Sequence, residues 1–290
     1  MSWRTVVISS RSKLDYQLGY MVVRAESTKK VFLDEISLLI IENPATALTG
    51  CLIEALNEKK IKVIFCDTKR NPIAELVPYY GSHDVSRKIR TQIAWTDDMK
   101  GAVWAEIVCD KIRKQADFLH ELKKYREEEM LEGYIKEVTL HDVTNREGHS
   151  AKVYFNAVFG MDFTRSADND INSALNYGYS ILLSTFNREI SANGYLTQLG
   201  IFHDNMFNYF NLSSDLMEPY RILIDRKVVS LGKELTFNSD VKHTLVNVLN
   251  DTVYINGTMQ TVLNAIRIYV KSVFDALNDG DVSLIKRYRI

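Results

Sequence analysis

The chain has few of the residues that interrupt regular structure or cross-link it. Its 290 residues include only four prolines, 13 glycines and three cysteines, which leaves little room for low-complexity segments. The cysteines are odd in number and scattered, so they form neither a disulfide framework nor a Cys-x-x-Cys metal site. No apolar run reaches the roughly 18 residues of a membrane-spanning helix. The N-terminus enters an apolar strand without a signal peptide, so we expect a cytoplasmic protein without a membrane segment.

The sequence also lacks an excess of charge of either sign. The formal net charge is −1 at pH 7 and the pI is near 6.6, well below the basic balance of a simple nucleic-acid-binding protein. Composition alone therefore argues mildly against DNA binding, although net charge does not report how the charges are distributed. With 46% hydrophobic and 25% charged residues, the chain can bury a core. Its length favours one large domain together with a small one.

The first 74 residues have the pattern of a small sheet that carries one helix. Apolar and β-branched runs predict strands at 5–10, 18–25, 36–41 and 61–66. Between the last two strands, apolar residues at helical spacing predict a helix from Thr46 to Lys60, with Thr46 as its N-cap. The segment 75–82 is predicted to be a linker.

From about residue 83 the apolar spacing becomes helical. Helices are predicted over 85–95 and 102–119, from near Asp168 or Asp170, and over 259–277. Two charge-dense segments, 120–137 and the basic 286–289, are interpreted as a solvated helix face and a solvated tail. The predicted fold class is α+β, with a small β-rich N-terminal domain (1–74) followed by a larger all-α domain (83–290).

Two stretches of the helical half place a carboxylate or an imidazole beside apolar residues. Glu147 shares a predicted helical face with Ala151 and Tyr154; alone, it is typical of a surface glutamate that complements the helix dipole in a first turn. His203 follows a glycine and an apolar pair, a setting in which a histidine is more often structural than a ligand.

A third stretch contains Asp215 and Glu218, which are three residues apart and would reach one side of a helix. Pro219 permits a bend there, and Asp215 alternatively caps a helix. Together, two or three carboxylates and one histidine suit Mg²⁺ or Mn²⁺, whereas the lack of cysteine or a second histidine at ligand spacing disfavours zinc. Spacing alone does not bring these residues together.

Taken together, these stretches resemble the CRISPR-associated adaptation integrase/endonuclease family (CRISPR-associated protein 1). The resembling blocks occur in family order, with family-like separations, and the resemblance covers nearly the whole chain. In its short length and in the residues of its motifs, the chain is most similar to the form of the family that accompanies a type II system. The blocks are Arg146-Glu147-Gly148 with Ala151 and Tyr154, Asp170-Ile171-Asn172 through Tyr177-Gly178-Tyr179, Gly200 to His203, and Asp215 to Arg221.

The resemblance implies a dimerising β-rich N-terminal domain and a helical catalytic domain that binds Mg²⁺ or Mn²⁺. By motif, the catalytic and metal-binding residues would be Glu147, His203 and Glu218, with Asp215 as acidic support. The family often has aspartate at the last ligand position. Glu218 keeps the carboxylate there but adds a methylene, which changes its reach.

The activity implied by the resemblance is metal-dependent integration of short DNA fragments as new spacers into a CRISPR array, by transesterification at the leader-proximal repeat. The implied partners are DNA (prespacer fragment and repeat with leader), a second copy of the chain, a small ferredoxin-like adaptation protein and the type II effector nuclease. Two alternatives stay open, a non-catalytic DNA-binding scaffold of the adaptation complex and a generic metal-dependent DNA repair nuclease.

Several side chains near the motifs are candidates for contacting DNA. Four basic residues are candidates for phosphate contacts, and for each an internal ion pair or a solvated position is an equal alternative: Arg146, Lys152, Arg165 and Arg221. Tyr154, Tyr177 and Tyr179 either stack on bases or belong to the core. Their apolar helical faces favour the core.

Overall fold

The chain forms two compact units, Met1–Gly81 and Ser82–Ile290, in a computed structural model that describes residues 4–77, 83–232 and 234–290. The predicted linker begins at Glu75, which is the last residue of a strand, and its residues 78–82 lie outside the described residues. A β-rich N-terminal unit and a largely helical C-terminal unit are present, which confirms the predicted fold class.

The described part of the N-terminal unit contains two four-stranded sheets, where the sequence predicted one. The sheet order β1-β5-β7-β8 has parallel pairs except for β7 with β8, and the order β4-β3-β2-β6 is antiparallel except for β2 with β6. Strand β5 is buried at all six positions, because it has a parallel neighbour on each side. The elements are β1 (Arg4–Ile8), β2 (Lys13–Gln17), β3 (Tyr20–Arg24), β4 (Thr28–Phe32), β5 (Ile36–Ile41), β6 (Ala47–Leu48), α1 (Gly50–Glu58), β7 (Lys62–Cys66) and β8 (Pro72–Glu75).

The predicted strand at 18–25 is shorter in the structure, because its first two residues form a hairpin turn. Leu18 and Gly19 have φ values of 47° and 84°, and they join the paired residues Gln17 and Tyr20. Two central residues with positive φ are the geometry whose twist matches that of antiparallel strands. Strands β2 and β4 were not predicted, because charged and polar residues dominate both segments.

Helix α1 starts later than predicted, and Thr49 rather than Thr46 is its N-cap. Ala47 and Leu48 remain extended because they pair with β2 as strand β6. The chain therefore turns into the helix only at Thr49, whose side chain accepts a hydrogen bond from the amide of Leu52 at 3.4 Å.

The C-terminal unit is built around two long helices. Helix α3 contacts α4, α5, α8 and α10, and α6 contacts α7, α8, α9 and α10. Within the described residues, no helix has both the length and the apolar character that crossing a membrane requires. The helices are α2 (Val85–Ile93), α3 (Asp97–Glu121), α4 (Tyr125–Glu137), α5 (Arg146–Phe159), α6 (Asp170–Ala192), α7 (Asn211–Met217), α8 (Arg221–Ser230), α9 (Ser239–Asn247) and α10 (Val262–Asp279), with 3₁₀ turns at Leu140–Asp142, Glu218–Tyr220, Val248–Asn250 and Val282–Leu284.

The helical unit also contains a β-hairpin, formed by β9 (Thr252–Ile255) and β10 (Thr258–Thr261). Its turn is Asn256-Gly257, with both φ values positive, and Asn-Gly is the strongest short-range hairpin signal. The apolar spacing had predicted helix from residue 259. Helix α10 instead begins at Val262, after the N-cap Thr261.

The prediction of a solvated tail at residues 286–289 holds for the three basic residues, which are exposed, but is wrong for Tyr288 and for the backbone. The backbones of Arg289 and Tyr254 exchange two hydrogen bonds of 2.9 Å, and the guanidinium of Arg287 pairs with Glu106. Tyr288 is buried and its ring packs on that of Tyr220. Tyr288, which lies between the basic residues of this segment, therefore anchors it to the core.

The assignment of the α1 N-cap can be tested with Thr49→Ala. We expect the substitution to cost about 1 kcal/mol of local stability, the usual cost of losing an N-cap hydroxyl. Amide hydrogen exchange across Gly50–Glu58 measures this. The control is Thr46→Ala, and an equal loss of protection in both variants would contradict the assignment.

Candidate active site

Glu147 lies in the first turn of α5, where two side chains cap the backbone. Asn145 has a left-handed φ of 51°, and its side chain accepts a hydrogen bond from the amide of Gly148 at 3.3 Å. The buried carboxylate of Asp142 accepts hydrogen bonds from the amides of Arg146 and Glu147, both at 2.9 Å. These caps satisfy amides that a helix start leaves unpaired, and they fix the backbone from which Glu147 extends.

Glu218 is the first residue of the 3₁₀ turn that separates α7 from α8, so it does not continue the helix of Asp215. Pro219 follows Glu218, in agreement with the bend that this proline was expected to permit. The carbonyl oxygen of Pro219 accepts a hydrogen bond of 2.9 Å from the hydroxyl of the buried Tyr288. The segment that carries Glu218 is thus anchored by a residue 69 positions further along the chain.

Lys111 of α3 lies between the carboxylates of Glu147 and Glu218. Its ammonium donates hydrogen bonds to Glu147 Oε1 and, at 2.5 Å, to Glu218 Oε2. The second oxygen of Glu218 accepts from Arg221 Nε at 2.9 Å. The two predicted carboxylates are therefore close together and share one positively charged group.

These charges determine the ionisation of Glu218. Burial opposes its charged form, but the charges of Arg221 and Lys111 outweigh burial and hold the pKa of Glu218 at about 2. Burial likewise opposes the charged form of Lys111, yet the two glutamates raise its pKa above the ordinary value. Glu218 and Lys111 are therefore both ionised at neutral pH and compensate each other's charge inside the protein.

Asp215 does not cap a helix; it binds the backbone of the loop that carries His203. Its fully buried carboxylate accepts hydrogen bonds from the amides of Ile201 at 2.7 Å, Phe202 at 3.1 Å and His203 at 3.0 Å. Gly200 makes this approach possible, because a Cβ there would lie 2.2 Å from the carbonyl oxygen of His203. A side chain at position 200 would push the loop away from the carboxylate.

The same carboxylate orients the imidazole of His203. His203 Nδ1 lies 2.5 Å from Asp215 Oδ1, which leaves Nε2 as the nitrogen available to a ligand. The hydrogen bond to Asp215 raises the pKa of His203 against the effect of burial, and the charges of Glu218 and Glu147 add to the rise. All three predicted residues therefore belong to one electrostatic cluster.

Whether this cluster suits a divalent cation follows from its donors. Within residues 4–77, 83–232 and 234–290, no three Asp, Glu, His or Cys side chains are placed to hold one metal ion. The two carboxylates nevertheless converge on one cationic group, the Lys111 ammonium, with the imidazole of His203 near them. Two carboxylates and one imidazole form a donor set that Mg²⁺ and Mn²⁺ accept, so the residues fit such an ion in place of the ammonium.

The four candidates for phosphate contacts fall into two groups. Arg165 and Arg221 line a cavity of about 220 Å³ together with Lys111, Glu147 and Glu218. Arg146 and Lys152 are not among the residues lining this cavity. Arg146 pairs with Glu137 at 2.7 Å, and Lys152 is exposed on α5.

The three tyrosines considered for base stacking are all buried, in agreement with the preference for the core. The hydroxyl of Tyr179 donates a 2.5 Å hydrogen bond to Asp225, which lines the same cavity. Burial raises the pKa of Asp225 to about 6, although the hydrogen bond from Tyr179 opposes the rise.

Sequence reasoning missed Lys111 and Asp225. A signal for Lys111 was present, because residues 104, 108, 111 and 115 recur at helical spacing along the buried face of α3. Lys111 and Gln115 are the polar members of that series. A charged residue at a core position of a helix is unusual unless it is paired.

Carboxylates and guanidinium groups around one cavity, with the imidazole of His203 within the electrostatic influence of both glutamates, are suited to an enzyme that acts on phosphodiesters. The family model described as CRISPR associated protein Cas1 matches residues 5–257. The CRISPR-associated endonuclease Cas1 of Neisseria meningitidis serogroup C is 31% identical over 291 residues, which cover 99% of this chain and 96% of that relative. The chain belongs to the CRISPR-associated protein Cas1 family, which confirms the resemblance drawn from the motifs.

Two solved structures share the fold. A casposase bound to integration product has a TM-score of 0.78 at 19% identity, with 98% of this chain and 93% of that chain covered. A Cas6-RT-Cas1–Cas2 complex has a TM-score of 0.74 at 17% identity, with 97% of this chain and 36% of that chain covered. Together with the endonuclease relative, these neighbours support nuclease or integrase activity in general.

The role of Asp215 can be tested with Asp215→Asn. We expect the pKa of His203 to fall, because the hydrogen bond to Asp215 is the largest cause of its rise. Since the folded pKa lies above the ordinary 6.5, the pair's contribution to stability is fully present below the unfolded pKa and is lost as pH rises through the folded value. An NMR titration of the imidazole measures the shift.

The matched control for this experiment is Asp204→Asn, which removes an exposed carboxylate from the same loop. Its His203 pKa should stay at the wild-type value. A His203 pKa that is the same in Asp215→Asn and wild type would rule out the proposed orienting bond.

Proposed function

We propose that the protein is a metal-dependent DNA integrase that inserts short DNA fragments as new spacers into a CRISPR array. The reaction would be transesterification at the leader-proximal repeat. The observation that carries the proposal is the convergence of Glu147 and Glu218 on Lys111, beside His203, in a member of the Cas1 family. We assign Glu147, His203 and Glu218 as catalytic and metal-binding residues, with Asp215 as acidic support.

Glu147, Glu218 and His203 Nε2 would hold Mg²⁺ or Mn²⁺ where the Lys111 ammonium lies. When bound, such an ion polarises a phosphoryl oxygen and stabilises developing negative charge. Glu218 brings the longer side chain to a position where the family often has aspartate. The segment that carries Glu218 is buried and is fixed by the hydrogen bond from Tyr288. The fixed backbone therefore determines how far the carboxylate extends, more than the rotational freedom of the side chain does.

Basic side chains around the cavity would bind the phosphodiester. Arg165 and Arg221 line it and present guanidinium groups suited to phosphate oxygens. The ammonium of Lys111 would leave the two carboxylates and pair with the phosphate instead. For Arg146 the ion pair with Glu137 supports a structural role instead, and exposed Lys152 remains a candidate contact along the DNA.

The 3′-hydroxyl of the incoming fragment would lose its proton to solvent as its oxygen attacks the target phosphorus, and the bond from that phosphorus to the target strand's 3′ oxygen would break. The leaving oxygen needs a proton. His203, whose pKa Asp215 raises, can donate it as an imidazolium. In the alternative role His203 only binds the metal, and its imidazole must then be neutral instead of protonated.

The assembly we propose contains a second copy of the chain, with the N-terminal domain (1–74) as the dimerisation domain, 75–82 as a linker and the catalytic domain at 83–290. Joining both ends of a fragment takes two events, one per strand, and therefore two active sites at a fixed separation. The neighbour solved as a Cas6-RT-Cas1–Cas2 complex supports an additional adaptation protein, for which we propose the small ferredoxin-like partner.

The further partners we propose are the prespacer fragment, the repeat with its leader and the effector nuclease of a type II system. The assignment to the type II form is supported by the short chain and the wording of its motifs. A CRISPR array is chromosomal DNA of a prokaryote, so the reaction would take place in the cytoplasm.

The proposal is tested by strand transfer of a short duplex with 3′-hydroxyl ends into a plasmid that carries a leader and repeat. Reactions contain the small partner protein and either Mn²⁺ or EDTA. We expect transfer only with Mn²⁺, and a decrease of about 100-fold or more in Glu147→Gln, His203→Ala and Glu218→Gln, in the range lost with a catalytic acid or base. Glu129→Gln, an exposed carboxylate on α4, is the control.

Each alternative function has a distinct outcome in this assay. Wild-type protein that binds the plasmid but never joins DNA indicates the non-catalytic scaffold. Cleavage without joining, independent of the partner protein, indicates the repair nuclease. Full transfer by all three active-site variants would overturn the site assignment.

The position of Lys111 leads to a prediction about metal binding. In Lys111→Met, no cation lies between Glu147 and Glu218, so we expect metal-free protein to lose roughly 3 kcal/mol of unfolding free energy, as when a buried ion pair loses one partner. Mn²⁺ no longer competes with an ammonium and should bind about tenfold tighter or more, since about 1.4 kcal/mol gives a factor of ten. Calorimetric titration and denaturant unfolding measure the two effects.

The control is Lys152→Met, which removes an exposed lysine of α5 and should change neither quantity. If Lys111→Met bound Mn²⁺ more weakly than wild type, the ion would not take the place of the ammonium.

A further inference from the structure

Arg165 lines the cavity beside Glu147 and Glu218 without forming an ion pair of its own. Its guanidinium donates hydrogen bonds to the side-chain oxygens of Asn172 and, at 2.6 Å, Asn176. Among the residues that the structure describes, no carboxylate pairs directly with Arg165. Its positive charge is therefore held by neutral acceptors and remains available to an anion in the cavity.

One face of α6 holds Arg165 in this position. Asn172, Asn176 and Tyr179 are spaced four and three residues apart, so they lie on one side of the helix. The amide group of Asn172 donates to two carbonyl oxygens of the preceding loop, at 2.8 and 2.9 Å, which leaves its own oxygen for the guanidinium. The guanidinium carbon of Arg165 lies 5.4 Å from the centroid of the Tyr179 ring, within the range of a cation–π contact.

The same ring contacts a second guanidinium, which belongs to α8. The guanidinium carbon of Arg221 lies 4.7 Å from the centroid of the Tyr179 ring. Arg221 donates to Glu218 through Nε, and its terminal nitrogens donate no hydrogen bond to the described part of the chain. Two cations beside one ring repel each other, so the arrangement requires a negative charge nearby.

Asp225 supplies this negative charge. It follows Arg221 by four residues, so the two side chains lie on one face of α8. Its buried carboxylate lines the same cavity and accepts a 2.5 Å hydrogen bond from the hydroxyl of Tyr179. Burial raises the pKa of Asp225 to about 6, while the charges of Arg221 and Arg165 oppose the rise, so the carboxylate is mostly ionised at pH 7. Asp225 therefore fixes the ring and offsets the repulsion between the two cations.

We infer that Tyr179 and Asp225 are positioning residues that hold Arg165 and Arg221 as a pair for neighbouring phosphates of the bound DNA. The inference rests on the proposed function, because it assumes that DNA occupies this cavity. Both guanidinium carbons lie near one ring centroid, so they are no more than about 10 Å apart. Neighbouring phosphates of one strand, which rise about 3.4 Å each, fall within that span. Guanidinium groups oriented before binding lose less freedom when the phosphates arrive, which increases the affinity.

The test measures how the affinity for a short duplex with 3′-hydroxyl ends changes with salt concentration, using the full chain in EDTA so that no joining occurs. The slope of log affinity against log salt counts the phosphates neutralised, at about 0.9 each. We expect Asp225→Asn and Tyr179→Leu each to reduce this slope by about 1 to 2 and to weaken binding about tenfold or more. Tyr179→Phe keeps the ring and should keep the slope. Asp279→Asn, which removes an exposed carboxylate at the end of α10, is the control.

A second set of variants distinguishes positioning from a merely structural role. Asp225→Asn is added to a chain that carries Arg165→Gln and Arg221→Gln and so lacks both guanidinium groups. If Asp225 acts through the arginines, the added substitution changes neither the slope nor the affinity. A structural role would lower the fraction of folded protein, which denaturant unfolding measures. It would then weaken binding equally with and without the arginines, at an unchanged slope.

Wild-type slopes in both Asp225→Asn and Tyr179→Leu would overturn the inference, as would equal weakening by Asp225→Asn with and without the two arginines. A slope reduced equally in Tyr179→Phe and Tyr179→Leu would overturn the role of the ring. If wild type neither binds nor joins DNA, the proposed function fails as well. Normal joining by wild type, together with wild-type slopes in the variants, removes only the positioning residues.

Discussion

Two carboxylates that lie close together in a partly buried site both stay ionised only when a cation lies between them; without it, one of them takes up a proton. In this protein Lys111 supplies that cation from the middle of the long helix α3. The helix that carries Glu147 and the turn that carries Glu218 both pack on α3. The arrangement of the helical unit around α3 therefore follows from the same requirement that organises the site.

A second requirement concerns the imidazole, which belongs to a loop rather than to a helix. A loop holds a side chain in one orientation only when its backbone is fixed, and here a single carboxylate does this by accepting three consecutive amides. Asp215 is fully buried, so its charge acts on His203 with little screening by water. This arrangement requires glycine at position 200, because a Cβ there would collide with the carbonyl oxygen of His203.

The sequence was most informative where one physical effect dominates. The apolar run at Ile36–Ile41 coincides with a strand buried on both faces, and the helical spacing of the C-terminal half coincides with helices packed on one another. It was least informative where a distant partner decides the structure. Thr49 rather than Thr46 caps α1 because β6 pairs with β2, and Tyr288 is buried because Tyr220 lies beneath it.

The candidate site shows the same division. Motifs pointed to Glu147, His203, Asp215 and Glu218. The structure joins the two glutamates through Lys111 and binds His203 to Asp215. The motifs did not include Lys111, and its helical spacing with the apolar face of α3 was the one signal for it. The exposure of Met206, Phe207 and Tyr209 could not be predicted, because apolar residues in a sequence predict burial.

The hydrogen bond from Tyr288 to the carbonyl of Pro219 has a consequence for the order of events during synthesis. During synthesis, Glu218 is added to the chain well before Tyr288. In that interval the nascent chain contains every proposed metal ligand, but the hydrogen bond that anchors the turn of Glu218 has not yet formed. A chain interrupted before Tyr288 would carry the motifs without the geometry.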